Sequence, residues 1–144
     1  MEIVASFDAR TKGFTSEGRV YRRGSDGSVS QESIKATFLW DTGASDSTVS
    51  QKLYDTLHLW TLREGSYAAG IGGAVPSTDC AALIAIRNAD ATDVWIKTAL
   101  FGTFPTENAP GIDVIIGLDI ILKGRLVIEK KDGIPTLTFT IESP

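Results

Sequence analysis

The chain carries one cysteine, one histidine and one methionine among its 144 residues. A lone cysteine, Cys80, excludes an internal disulfide and fits a reducing compartment; with no His or Asp motif beside it, it reads as a small buried residue. A lone histidine, His58, excludes a histidine-rich metal site and is expected at the end of a short helix. No run approaches the roughly 18 apolar residues that a membrane span needs. Basic residues are outnumbered, 14 Lys and Arg against 18 Asp and Glu, and they are scattered. That balance argues against nucleic acid as a partner. Arg22-Arg23 is the densest basic pair and reads as a solvated loop edge. The opening residues, Met1-Glu2-Ile3-Val4-Ala5, contain an acid where a secretory leader carries basic residues. The expectation is therefore a cytoplasmic protein with no membrane segment, no metal and no cofactor.

Glycine is plentiful, at 14 residues, and the apolar runs are short and β-branched. Both features favour strands. Residues 3–7 form a first candidate strand, and Val20-Tyr21 part of another. Gly24-Ser25-Asp26-Gly27-Ser28 is expected to be a mobile loop. Residues 34–40 form a strand running directly into Asp41-Thr42-Gly43. Ser50 is placed to cap a short helix whose Leu53 and Leu57 share one face. Residues 81–86 and 94–101 are two further strands with a turn at Asn88 and Asp90, and 105–111 is loop. Residues 114–116 are a short apolar strand ending at Gly117, and 119–123 form at most two helical turns capped by Asp119. Strands 126–129 and 137–141 close the chain around Lys131-Asp132-Gly133, and Asp-Gly between apolar runs is a strong hairpin signal. The pattern predicts an all-β fold with one or two short helices. With no candidate linker, residues 1–144 are expected to be one domain, 1–33 supplying N-terminal strands and the polar loop.

Three features bear on chemistry, and each has a plain alternative. Asp41 follows Phe38-Leu39-Trp40 at the end of an apolar strand, and Gly43 lets the backbone approach and donate to its carboxylate; Asp-Thr-Gly is also an ordinary turn. Ile115-Ile116-Gly117-Leu118-Asp119 reads equally as a core strand with a glycine cap. Gly70-Ile71-Gly72-Gly73 has the composition of a mobile lid over a cleft, or of a flexible turn. In this order, however, the three features resemble the retropepsins and the related peptidases of retrotransposons and bacterial genomes. The likeness spans residues 34–141. Trp40 is bulkier than the aliphatic residue usual before the Asp in that family, and the segment before residue 34 is longer than a minimal retropepsin needs.

The resemblance implies a closed β-barrel of the acid protease fold that works as a homodimer on a peptide or protein substrate. Asp41 would be the catalytic residue, supported by Thr42, Gly43 and Ala44, with Thr42 reaching across to brace the partner loop. Residues Gly70, Ile71, Gly72 and Gly73 would form the flap tip, Ser45 and Asp46 would contact substrate, and Ile116, Gly117 and Asp119 would be the structural second signature. The chemistry needs two neighbouring carboxylates that share one proton. One acts as general base on a water while the other donates to the scissile carbonyl. A single Asp-Thr-Gly per chain then requires two chains. Ala44 withholds the hydroxyl donor that some relatives supply to this carboxylate. A non-catalytic peptide-binding module of the same fold is the alternative, and a small β-barrel ligand binder with Asp41 as a turn residue is a remoter one. Ser45 lies outside any Gly-x-Ser-x-Gly elbow, so a serine hydrolase has no support. Trp60 and Trp95 are expected in the core.

Overall fold

The computed structural model describes residues 2–70, 73–88, 90–96 and 100–141, with only the backbone described at 66–70 and 73–75. Strand β1 (Glu2–Asp8) alternates, burying Ile3 and Ala5 and turning Glu2, Val4 and Ser6 outward. Strands β2 (Gly13–Arg23) and β3 (Val29–Trp40) form a long antiparallel hairpin, with Phe14 opposite Trp40 and Val20 opposite Ile34. The loop expected at 24–28 joins β2 to β3 as a hydrogen-bonded turn. The Gly24 amide donates to the Ser28 carbonyl at 2.8 Å, and Gly27 adopts φ 83°.

Next come β4 (Thr48–Ser50), α1 (Gln51–Leu57), β5 (Trp60–Gly70) and β6 (Gly73–Arg87). Ser50 accepts the Leu53 amide at 3.1 Å, the expected cap, and His58 ends α1 in the left-handed region. Strand β6 pairs with both β5 and β2, and residues 80–86 are buried on both faces. Gly18 marks where β2 is squeezed between neighbours: a Cβ there would lie 2.1 Å from the Ala85 carbonyl oxygen and 2.8 Å from the Phe38 ring. The strand expected over 94–101 is shorter. β7 (Asp93–Ile96) pairs with β6, while residues 97–99 lie outside the described part. Phe101 makes an isolated bridge to Cys80 ahead of the separate β8 (Gly102–Phe104).

A 3-10 turn at Thr106–Asn108 leads to β9 (Val114–Ile116), α2 (Leu118–Ile121) and the closing hairpin of β10 (Gly124–Lys131) and β11 (Ile134–Ile141). Asp132 and Gly133 turn that hairpin at φ 52° and 79°, the geometry Asp-Gly favours. β11 pairs with β1, which ties the two ends of the described chain together.

The sheet does not close into the expected barrel. Its main path runs β10-β11-β1-β2-β3-β9-β4-β8, and the two end strands do not pair with each other. β8 is only three residues long. β10 exposes Arg125, Glu129, Lys130 and Lys131, charges that discourage pairing along an edge. Trp60 and Trp95 are not core residues: they are 41% and 43% exposed, and Trp95 packs on Tyr21 with ring centroids 5.0 Å apart.

Candidate active-site loop

Chain order and sheet order conflict around Asp41, and the conflict builds the site. β3 and β4 are consecutive strands, yet β9 lies between them, parallel to β3 and antiparallel to β4. Residues 41–47 must therefore cross over the C-terminal end of β9. That crossing is possible because residue 117 is glycine. A Cβ at Gly117 would lie 2.8 Å from the Ala44 carbonyl oxygen and 2.8 Å from the Asp46 carbonyl carbon and oxygen.

The crossing is hydrogen-bonded along its length. Asp41 donates its amide to the Ile116 carbonyl at 2.9 Å, Leu118 to the Ala44 carbonyl at 2.8 Å, and Asp119 to the Ser45 carbonyl at 3.1 Å. Ser47, 1% exposed, sits at the centre. Its hydroxyl donates to Asp119 Oδ1 at 2.6 Å and accepts the Gly117 amide at 2.9 Å, while its own amide reaches Asp119 Oδ2 at 3.1 Å. Asp119 was expected as a helix cap. The N-cap of α2 is Gly117, without a side-chain bond; Asp119 lies in the first turn, where its Oδ1 accepts the Ile120 amide at 2.9 Å while the same carboxylate holds Ser47 of the loop.

On this frame Asp41 is half-buried, and its Oδ1 accepts the Gly43 amide at 2.8 Å. Thr42, Gly43, Ser45 and Asp46 face solvent on the same loop, and Ala44 is half-buried. Trp40 turns away into the core. Its Nε1 donates to Ser16 Oγ at 2.9 Å, and its ring packs on Phe139 at 5.0 Å. The strand–loop junction is thus anchored by the Trp40 side chain. Ile116 is fully buried beneath the loop, paired with Trp40.

The glycine-rich segment lies at the end of the β5–β6 hairpin. Gly70 pairs with Gly73, and Ile71 and Gly72 are outside the described residues. The middle of this hairpin is bonded to β8. Ser77 Oγ accepts the Thr103 amide at 2.9 Å, and the Thr78 amide donates to Thr103 Oγ1 at 3.0 Å. β8 in turn contacts the loop, since the Gly102 amide donates to the Ser47 carbonyl at 3.2 Å.

Two supports escaped sequence reasoning. Ser47 and Asp119 are 72 positions apart. Asp113 bonds Thr37 from both sides: its carboxylate accepts the Thr37 amide at 2.8 Å, and its amide donates to the Thr37 carbonyl at 3.0 Å. Both pairs follow from the crossing, and neither has a local signal in the chain. Among the described residues no group of three or more His, Cys, Asp or Glu side chains is placed to hold a metal.

The fold has counterparts among solved structures. A retropepsin-like aspartic protease from Rickettsia conorii superposes with a TM-score of 0.53 at 15% identity, over 96% of this chain and 90% of that one. The EIAV protease complexed with the inhibitor HBY-793 gives 0.47 at 20% identity, over 83% and 97%. The retroviral protease-like domain of Ddi1 from Leishmania major gives 0.43 at 14% identity, over 88% and 94%. No protein-family model matches the chain, and no curated protein does. The likeness is one of fold: the chain is a mainly β protein with the retropepsin-like fold.

Proposed function

We propose that this chain is an aspartic endopeptidase that works as a homodimer, with Asp41 of each copy supplying one of two catalytic carboxylates. The observation that carries the reading is the pinned crossing. It presents one carboxylate, held by the Gly43 amide, on a loop that is bonded from beneath and open to solvent above. Such pre-positioning is what water activation by a carboxylate pair requires. Two Asp41 groups brought together share a proton; the ionised one takes a proton from water, and the other donates to the scissile carbonyl. Thr42, exposed on the same loop, would brace the partner loop, and Ser45 and Asp46 would contact substrate backbone. The β5–β6 hairpin would act as the flap. Phe7 and Ile128, 47% and 53% exposed on the sheet face that buries Trp40, offer apolar surface for a second copy to cover.

The test is cleavage of a mixture of unstructured peptides read by mass spectrometry. Asp41→Asn should lower the rate at least about a thousandfold while leaving circular dichroism and sedimentation unchanged. Undiminished cleavage by that variant removes Asp41 from the chemistry. Specific activity over a dilution series should follow the dimer fraction, and a fully active monomer would refute the shared site. Saturable peptide binding by the parent protein without cleavage would favour the binding-module reading.

A further inference from the structure

At the far end of the β2–β3 hairpin from Asp41 lies an open cavity of about 450 Å³, lined by Gly24, Ser25 and Ser28 of the turn together with Arg22, Arg23, Ser30, His58 and Trp60. A second cavity of about 190 Å³ adjoins it. The two share Arg23 and Trp60, and Leu62 adds an apolar wall. No lining residue of either is acidic, in a chain of net charge −4. We propose that this double cavity is a binding site for an anionic group, carboxylate or phosphate, carried on an aromatic or branched apolar body.

The side chains divide the work by chemistry. The Arg23 side chain makes no ion pair or hydrogen bond with the described residues, and its guanidinium lies by the turn, with an Nη atom 3.8 Å from where a Gly27 Cβ would stand. A guanidinium presents a fork of donors suited to carboxylate or phosphate oxygens. Arg22 reaches Glu32 at 3.6 Å, but both side chains are substantially exposed. An ion pair of that kind is weak and exchanges readily for a better placed anion. The other nearby acid, Asp26, is engaged in its own turn, accepting the Ser28 amide at 2.9 Å and the Ser28 hydroxyl at 2.6 Å. Those bonds hold its carboxyl below the usual carboxylate range. Trp60 and Leu62 are both well exposed, and together they offer one side of a slot to an apolar group. His58, the chain's only histidine, takes the left-handed C-cap of α1, where glycine is the usual residue. That places an imidazole at the cavity wall.

The arginines belong to a strand end and the aromatic wall to the start of β5, so the site joins the β2–β3 turn to the root of the β5–β6 hairpin. It is independent of the peptidase reading.

Amide chemical shifts of the parent protein, followed on addition of N-acetyl-aspartyl-phenylalanine amide or phenyl phosphate, test the proposal. Saturable shifts are expected at residues 22–30 and 58–62 with at least one probe; a preference between the two identifies the source of the anion. N-acetyl-asparaginyl-phenylalanine amide should bind at least about tenfold more weakly than its aspartyl counterpart, and Arg23→Gln should weaken either anion by a similar factor. The thermal midpoint of that variant should stay close to the parent's, since the Arg23 side chain makes no ion pair or hydrogen bond with the described residues that the change would remove. No saturable shift at these residues with either probe overturns the proposal, as does binding unaffected by Arg23→Gln or by loss of the probe's charge.

Discussion

Replacing Ser47 with alanine tests whether the crossing loop is held as its hydrogen bonds indicate. The hydroxyl makes two bonds, a short one to the Asp119 carboxylate at 2.6 Å and one from the Gly117 amide at 2.9 Å. Bonds to a charged group contribute about 1.5–3 kcal/mol, and a buried amide left without a partner costs about 1–3 kcal/mol. Asp119 keeps the Ser47 amide at 3.1 Å and is only half-buried, so part of the first loss is recovered from water. The net expectation is a destabilisation of about 2–4 kcal/mol, a large share of the roughly 5–15 kcal/mol of a typical domain. Urea unfolding followed by circular dichroism reads this as a lower midpoint with an unchanged slope. Asp119→Ala should be strongly non-additive with Ser47→Ala, because both changes remove the same hydroxyl–carboxylate contact; a coupling of about 1 kcal/mol or more is expected. A Ser47→Ala protein within about 0.5 kcal/mol of the parent, or strict additivity of the two changes, would refute the reasoning.

Gly117→Ala should cost about 1–3 kcal/mol in the same unfolding assay, since the added methyl meets loop backbone 2.8 Å away and backbone cannot rotate aside as a side chain can. Trp40→Phe should lose about 1–2 kcal/mol by breaking the bond to Ser16, whereas removing both partners with Ser16→Ala as well should recover part of it. Burial pushes the Cys80 thiol up to about 12. A thiol-specific reagent at pH 8 should therefore react far more slowly with the folded protein than with the protein in urea. The unfolded thiol ionises near about 8.5, so above that pH the unfolded state holds fewer protons than the folded one and stability falls. Below it, Cys80 contributes no pH dependence. Replacement by alanine should remove that alkaline slope of about 1.4 kcal/mol per pH unit, and an unchanged slope would mean that the thiol is not buried.

Several parts of the fold were legible because their causes are local. Alternation at Ile3 and Ala5 is a strand's own period, Ser50 caps the helix that starts beside it, and Asp132-Gly133 supplies the two positive φ angles of its turn. The strand read at 94–101 does not reach its far end: Leu100 is outside any strand, and Phe101 bridges Cys80 on its own. Pairing partners, unlike periodicity, cannot be read from one segment. Composition marked 24–28 as loop, and the ladder on either side brings its ends together.

The same division runs through the candidate site. Residue order alone marked Asp41, Thr42 and Gly43, because a carboxylate after an apolar strand and before a glycine turn is a local arrangement; the Gly43 amide does meet Asp41. The use of Gly117, Ser47 and Asp119 was decided only by the tertiary structure. Placing β9 between two consecutive strands forces one loop across another strand's end, and that crossing needs a residue without Cβ and a buried donor–acceptor set to hold it. Arg22, Arg23, His58 and Trp60 likewise have nothing in common along the chain. They converge because the β2–β3 turn comes to rest against the start of β5, a contact set by packing between segments that are distant in sequence.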